Sequence, residues 1–135
     1  MENQDLEQRL HLLLNNYSRP KPGDRIAVKN GGRVRFIRTS TIDWIEAADN
    51  YVCLHCGSET ICMRETMQAL ETKLDSSRFV RIHRSAIVNI DRIKEMQPWF
   101  RGDSRIVLQD GTQLAMSRTY RGRLKAVLLP GMAVK

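Results

Sequence analysis

A mostly-β domain built of antiparallel hairpins, with a few short helices, is the fold class this sequence predicts. Three observations carry that prediction. Two glycine-bearing turns, Asn30-Gly31-Gly32 and Gln109-Asp110-Gly111-Thr112, are flanked by short stretches that alternate apolar and polar residues, the signature of a hairpin. A third turn, Gly57-Ser58, separates two further alternating runs. The stretch Phe79 to Asn89 first alternates and then becomes almost wholly apolar and branched from Ser85 onward, as a buried strand does.

Taken in order, residues 3–17 carry Leu6, Leu10, Leu13, Leu14 and Tyr17 at spacings of three and four. That is one apolar stripe of an amphipathic helix, and Asp5 and Glu7 suit its first turn. Ser18-Arg19-Pro20-Lys21-Pro22-Gly23-Asp24 breaks the helix and reads as a linker. The chain thus divides into an N-terminal helix and linker, 1–24, and a body, 25–130. In the body, Arg25–Lys29 and Arg33–Ile37 form the first hairpin. Ser40 or Thr41 caps a short turn before Ile42-Asp43-Trp44-Ile45-Glu46-Ala47, where Ile42, Trp44 and Ile45 are expected to pack inward. Asp49-Asn50 is a turn, and Tyr51–His55 and Glu59–Met63 are strands. Thr66 caps a helix that buries Met67, Leu70 and Leu74 and turns Glu71 and Lys73 outward. After the central stretch, Asp91-Arg92 turns and Ile93–Gln97 extends. Pro98 to Asp103 is a loop with Trp99 and Phe100, read as the cap of a core edge. Arg105–Leu108 and Gln113–Met116 form the last hairpin. Ser117 then starts a helix, weakened by Gly122, with Arg118, Arg121 and Lys125 near one face.

The 135 residues suit one domain with a core large enough to need no metal or disulfide. Charge is unevenly placed. Residues 1–75 hold 10 Lys and Arg against 11 Asp and Glu, and residues 76–135 hold 12 against 4. The C-terminal half is therefore the half suited to a polyanion. The three cysteines are an odd number, and the N-terminus is acidic where a secretory signal is basic. A reducing, cytoplasmic setting fits this usage. A two-residue Gly57-Ser58 turn would set Cys53 opposite Cys62 and bring Cys53, His55 and Cys62 to one sheet face. A metal or redox centre there lacks a fourth ligand, so small residues on a half-covered face is the preferred reading.

Enzyme signatures are lacking: there is no phosphate-binding glycine loop, no H-E-x-x-H and no Gly-x-Ser-x-Gly. His83 and Ser85 can share a face, but no carboxylate is placed by sequence to orient the imidazole. No enzyme activity and no cofactor are expected. Nucleic-acid binding is better supported. Asn50-Tyr51, Arg81 to Ser85 and Ser117-Arg118-Thr119 each lie at a strand end or helix start. Arginine can read guanine and asparagine adenine, while hydroxyls and helix-start amides hold phosphates. No zinc finger, basic zipper or three-helix bundle is visible, so loops or strands must do any reading.

From about Arg25 to Leu129 the chain resembles the LytTR-type DNA-binding domain, the output domain of bacterial response regulators of the LytR/AlgR class. The resemblance rests on four segments: Ile42 to Val52, Arg64 to Leu74, Phe79 to Asn89, and Asp110-Gly111-Thr112 to Tyr120. It implies an elongated fold of antiparallel sheets whose loops enter successive major grooves of double-stranded DNA with tandem half-sites, bound by two copies. By motif, base contacts fall on Asn50, Tyr51, His83, Arg84 and Arg118. Arg81, Ser85, Ser117, Thr119, Tyr120 and Arg121 are assigned to phosphate contact or support. Such domains usually follow a receiver, sensor or membrane segment, which residues 1–24 cannot hold. The chain is thus expected to be a fragment that begins in an interdomain linker, with a small stand-alone regulator as the other arrangement.

If the N-terminal helix stands apart from the body, deleting residues 1–22 should leave binding to a single DNA site within a few-fold of the full chain, measured by fluorescence anisotropy. Abolished binding would place the helix in the folded core.

Overall fold

The computed structural model describes residues 24–98 and 103–128. The helix expected over residues 3–17, the linker as far as Gly23 and the Trp99-Phe100 pair lie outside the described residues. Among the described residues, ten strands form three antiparallel sheets. β1 (Arg25–Asn30) and β2 (Arg33–Arg38) make a two-stranded hairpin. Its Gly31 and Gly32 both have positive φ, 58° and 80°, which is what a tight two-residue turn between twisted strands requires.

A 3-10 turn, Thr39–Thr41, leads into β3 (Trp44–Ala48), β4 (Tyr51–Cys56) and β5 (Glu59–Arg64). Helix α1 (Met67–Lys73) follows, with the Thr66 hydroxyl accepting from the Ala69 N–H at 3.0 Å. Then β6 (Phe79–His83) and β7 (Ala86–Asn89) return as a hairpin and join the same sheet, in the order β5-β4-β3-β7-β6. β8 (Ile93–Pro98), β9 (Ser104–Leu108) and β10 (Gln113–Met116) make the third sheet, and α2 (Arg121–Leu128) follows a 3-10 turn, Arg118–Tyr120.

The five-stranded sheet is the shared wall of two cores. One face carries Ile45, Val52, Leu54, Met63, Phe79 and Ile87, packed against Ile26, Val28 and Ile37 of the first hairpin and against Met67, Leu70 and Leu74. The other face carries Val80, Ile82, Ala86 and Val88, packed against Ile106, Leu108, Leu114, Met116 and Leu124. Side chains alternate along a strand, so a strand apolar at both parities is covered on both sides. That explains the apolar run of β7. It also explains Trp44 and Ile45: both turn inward as expected, but into different cores.

The register of β4 and β5 decides the cysteines. Cys53 stands opposite Cys62, as the two-residue turn predicts, and the two sulfurs are bonded. Their Cα atoms are 4.0 Å apart, the close spacing of a non-hydrogen-bonded antiparallel pair. Sulfurs bonded to each other are not thiolate ligands, so the face with His55 carries a disulfide, which corrects both the metal-ligating reading and the preferred one of small unbonded residues in a reducing setting. His55 stacks on Trp44, with ring centroids 4.2 Å apart, and its Nε2 lies 3.2 Å from Glu46 Oε1. Cys56 is the one free cysteine, and burial pushes its thiol pKa up. Arg35 of β2 reaches Glu59 of β5 with two hydrogen bonds of 2.9 and 3.0 Å, which hold the Glu59 carboxyl below the usual carboxylate range.

Each core should be essential to one cooperative unit. Ile45→Ala in the first core and Ile82→Ala in the second are each expected to lose about 2–5 kcal/mol in urea denaturation. A loss below about 1 kcal/mol at either position would mean that its core is not part of that unit.

Candidate nucleic-acid interface

Three loops converge at one end of the wall. β3 and β7 are antiparallel neighbours with Glu46 opposite Ala86, so the β3–β4 turn lies beside the β6–β7 turn. The Ala47 N–H donates to the Ser85 carbonyl at 2.9 Å across that junction. The Ser117 N–H donates to the Ile82 carbonyl, also at 2.9 Å, and brings the end of β10 to the same place. Backbone pairing therefore gathers Asn50-Tyr51, His83-Arg84-Ser85 and Ser117-Arg118-Thr119 from positions up to 69 residues apart in the sequence.

In the first turn, Asp49 takes φ 56°, a left-handed conformation that aspartate tolerates better than branched residues do. Asn50 and Tyr51 are exposed, Tyr51 at 49%. In the second turn, the Ser85 N–H donates to His83 Nδ1 at 3.2 Å and Ser85 Oγ lies 2.9 Å from the same nitrogen. An N–H can only donate, so Nδ1 accepts and the neutral ring carries its proton on Nε2. His83 thus keeps Nε2–H as a donor that these contacts leave unused, while Ser85 is spent on orienting it.

Arg81 is a brace. Its side chain is only 17% exposed, and its Nε and Nη2 donate to the carbonyls of His83 and Arg84 at 3.3 and 2.6 Å. Its Nη1 lies 3.3 Å from Glu71 Oε2. Glu71 also accepts from Arg123 at 3.0 Å, and both guanidiniums lie over the Tyr120 ring, 5.9 and 5.6 Å from its centroid. This corrects the reading of Glu71 as an outward-facing helix residue. Lys73 does face solvent and pairs with Glu65 at 3.0 Å, but Glu71 is drawn to the cations of β6 and α2. A carboxylate near two guanidiniums bridges them, and the planar fork of arginine can hold carbonyls and carboxylate together.

In the third loop, the Ser117 hydroxyl accepts from the Thr119 N–H at 3.4 Å and caps the 3-10 turn. The Arg118 N–H donates to Asp103 Oδ1 at 3.2 Å. Because α2 starts only at Arg121, Arg118 lies on the preceding 3-10 turn rather than on one helical face with Arg121 and Lys125. Arg118 and Thr119 are exposed, and Tyr120 and Arg121 half-buried. The guanidiniums of Arg84 and Arg118 are exposed and carry no ion pair among the described residues. Glu71, Arg123 and Asp103 were missed from sequence. Their partners lie 10 to 52 residues away, and no local pattern marks such pairs.

The family model of the LytTr DNA-binding domain matches residues 32–129. The Sensory transduction protein LytT of Bacillus subtilis is 33% identical over 104 residues, which are 77% of this chain and 43% of that protein. The Transcriptional regulatory protein LytR of Staphylococcus aureus is 26% identical over 101 residues, 75% of this chain and 41% of that protein. The chain therefore spans less than half the length of these curated relatives. Among solved structures, the LytTr DNA-binding domain of a putative methyl-accepting/DNA response regulator from Bacillus cereus superposes with a TM-score of 0.69 at 23% identity. That match covers 78% of this chain and 96% of the solved one, and shows a shared fold.

Arg81→Ala should release the His83 and Arg84 carbonyls and leave Glu71 with one partner. We expect a loss of about 1–3 kcal/mol in chemical denaturation and faster amide exchange at Arg84 and Ser85. Arg81→Lys should recover only part of this, since the three donors of an ammonium share one nitrogen and cannot span acceptors that the guanidinium reaches from Nε, Nη1 and Nη2. Wild-type exchange in Arg81→Ala would mean that the turn holds itself.

Proposed function

The chain belongs to the LytTR DNA-binding domain family, and from that premise we propose that it is a sequence-specific transcription regulator that reads double-stranded DNA with its three loops. Residues 25–130 are the DNA-binding body. Asn50, Tyr51, His83, Arg84 and Arg118 face base edges. Ser117, Thr119 and Arg121 hold phosphates, while Arg81, Ser85 and Tyr120 support them from behind. The observation that carries this reading is the pair of exposed guanidiniums, Arg84 and Arg118, on turns fixed by backbone hydrogen bonds to one buried sheet. A base contact requires a donor fork held at a defined place. A loop that must first be ordered loses affinity to that ordering.

The printed roles of the relatives, sensory transduction and transcriptional regulation, support an output role in a two-component system of the cytoplasm. The unmatched length of those relatives leaves room for an upstream receiver domain. Two copies on tandem half-sites would double the contact surface on one side of the duplex and raise specificity accordingly.

Selection from a random double-stranded DNA library near physiological salt is the test. A repeated enriched motif is expected, with affinity falling steeply as salt rises. On that site, Arg84→Ala and Arg118→Ala should each lose about 1–3 kcal/mol of binding and relax one base position. Wild-type binding by both variants would remove the assignment of these residues. Binding without any enriched motif would instead favour a non-sequence-specific RNA-binding or structural basic β-domain.

A further inference from the structure

The β1–β2 hairpin has one covered face and one open face. Ile26, Val28 and Ile37 enter the first core. The register Arg25↔Arg38, Ala27↔Phe36 and Lys29↔Val34 assembles the other face from the remaining parity. Its centre is apolar, with Phe36 63% and Val34 49% exposed, and Ala27 lies opposite Phe36. Its rim is cationic: Arg25, Lys29 and Arg38. No residue of the three site loops belongs to it. Among the described residues, no second layer covers this face of the two-stranded sheet, which has a phenylalanine at its centre.

The chain itself supplies a matching surface next to this face. The leucine stripe of residues 6–17 ends seven residues before β1 begins. Seven residues reach about 23–25 Å at full extension, ample to fold back onto the adjoining strand. The sizes agree: a helix spanning Leu6 to Tyr17 is about 17 Å long, and a six-residue strand such as β2 about 17 Å from end to end. The charges also agree. Residues 1–17 hold Glu2, Asp5 and Glu7 against Arg9, opposite in sign to the rim.

We propose that residues 3–17 dock as an amphipathic helix on the outer face of the β1–β2 hairpin, with the leucine stripe over Ala27, Val34 and Phe36. The acidic first turn then pairs with the Arg25, Lys29 and Arg38 rim. The first core becomes a three-layer stack of helix, hairpin and central sheet. The docked helix sets the direction in which the chain leaves the DNA-binding body on its N-terminal side.

Hydrogen exchange on the full 135-residue chain, followed over a hundredfold dilution range, tests this. Amides of residues 6–17 are expected to exchange at least tenfold more slowly than their unstructured rates, at every concentration. In Val34→Ser/Phe36→Ser that protection should vanish, while β4 and β7 amides stay protected and report an intact body. An independent arm does not depend on the folding of that variant. Phe36→p-benzoylphenylalanine, irradiated at low concentration, should crosslink within one chain to residues 6–17, as peptide mapping would show. Unprotected wild-type amides, protection that survives Val34→Ser/Phe36→Ser, or protection and crosslinks that appear only between chains would each overturn the proposal. The last result would assign the face to a second copy.

Discussion

The constraint on which the rest of this structure depends is that one sheet roofs two cores. β3, β6 and β7 must bury side chains at both parities, because the first hairpin and α1 cover one face and the third sheet and α2 the other. A strand buried on both faces cannot slip by one residue without exchanging the occupants of two cores at once. Register here is therefore held twice over, and the turns that cap these strands inherit that rigidity. The end of the wall where Asn50, Arg84 and Arg118 gather is tied to that sheet by backbone hydrogen bonds, although it consists of turns.

Beneath those turns a small polar group joins elements that the cores do not. Arg81 carries the backbone of the β6–β7 turn, and Glu71 links it to Arg123 across Tyr120. A half-buried guanidinium with carbonyl and carboxylate acceptors is satisfied, whereas an arginine aimed at a base must stay unpartnered until its ligand arrives. The same residue type thus stands in two states in one motif. Arg81 is held, and Arg84, three residues on, is exposed. Burial and partners, rather than residue identity, separate the two.

Much of this was legible beforehand. The glycine turns, the alternation of the strands and the Thr66 cap are local signals, and the strands they predicted are present with ends shifted by a residue or so. The facing of Cys53 and Cys62 followed from a two-residue turn; that their sulfurs are bonded did not, because the same register also suits two free thiols. The three loops were recognised as chemically apt because arginine, asparagine and hydroxyls stood at element ends. The facing of Glu71 was misread, since a helix pattern shows which side is apolar but not which distant cation will draw a polar residue inward. Arg118 was placed on a helical face because its spacing to Arg121 and Lys125 suits one, but the Ser117 cap closes a 3-10 turn first.

By itself, then, the sequence determined the hairpins, the short helices, the apolar stripes and the residue types available at each turn. These depend on neighbours within a few positions, where steric preference and side-chain periodicity act. Tertiary structure alone decided which core each face of β3 would fill, which turns would meet at one end, and whether a given arginine would brace the backbone or face outward. Such choices depend on pairing between strands tens of residues apart. The free energy of that pairing comes from burying whole faces together, and no single segment carries it.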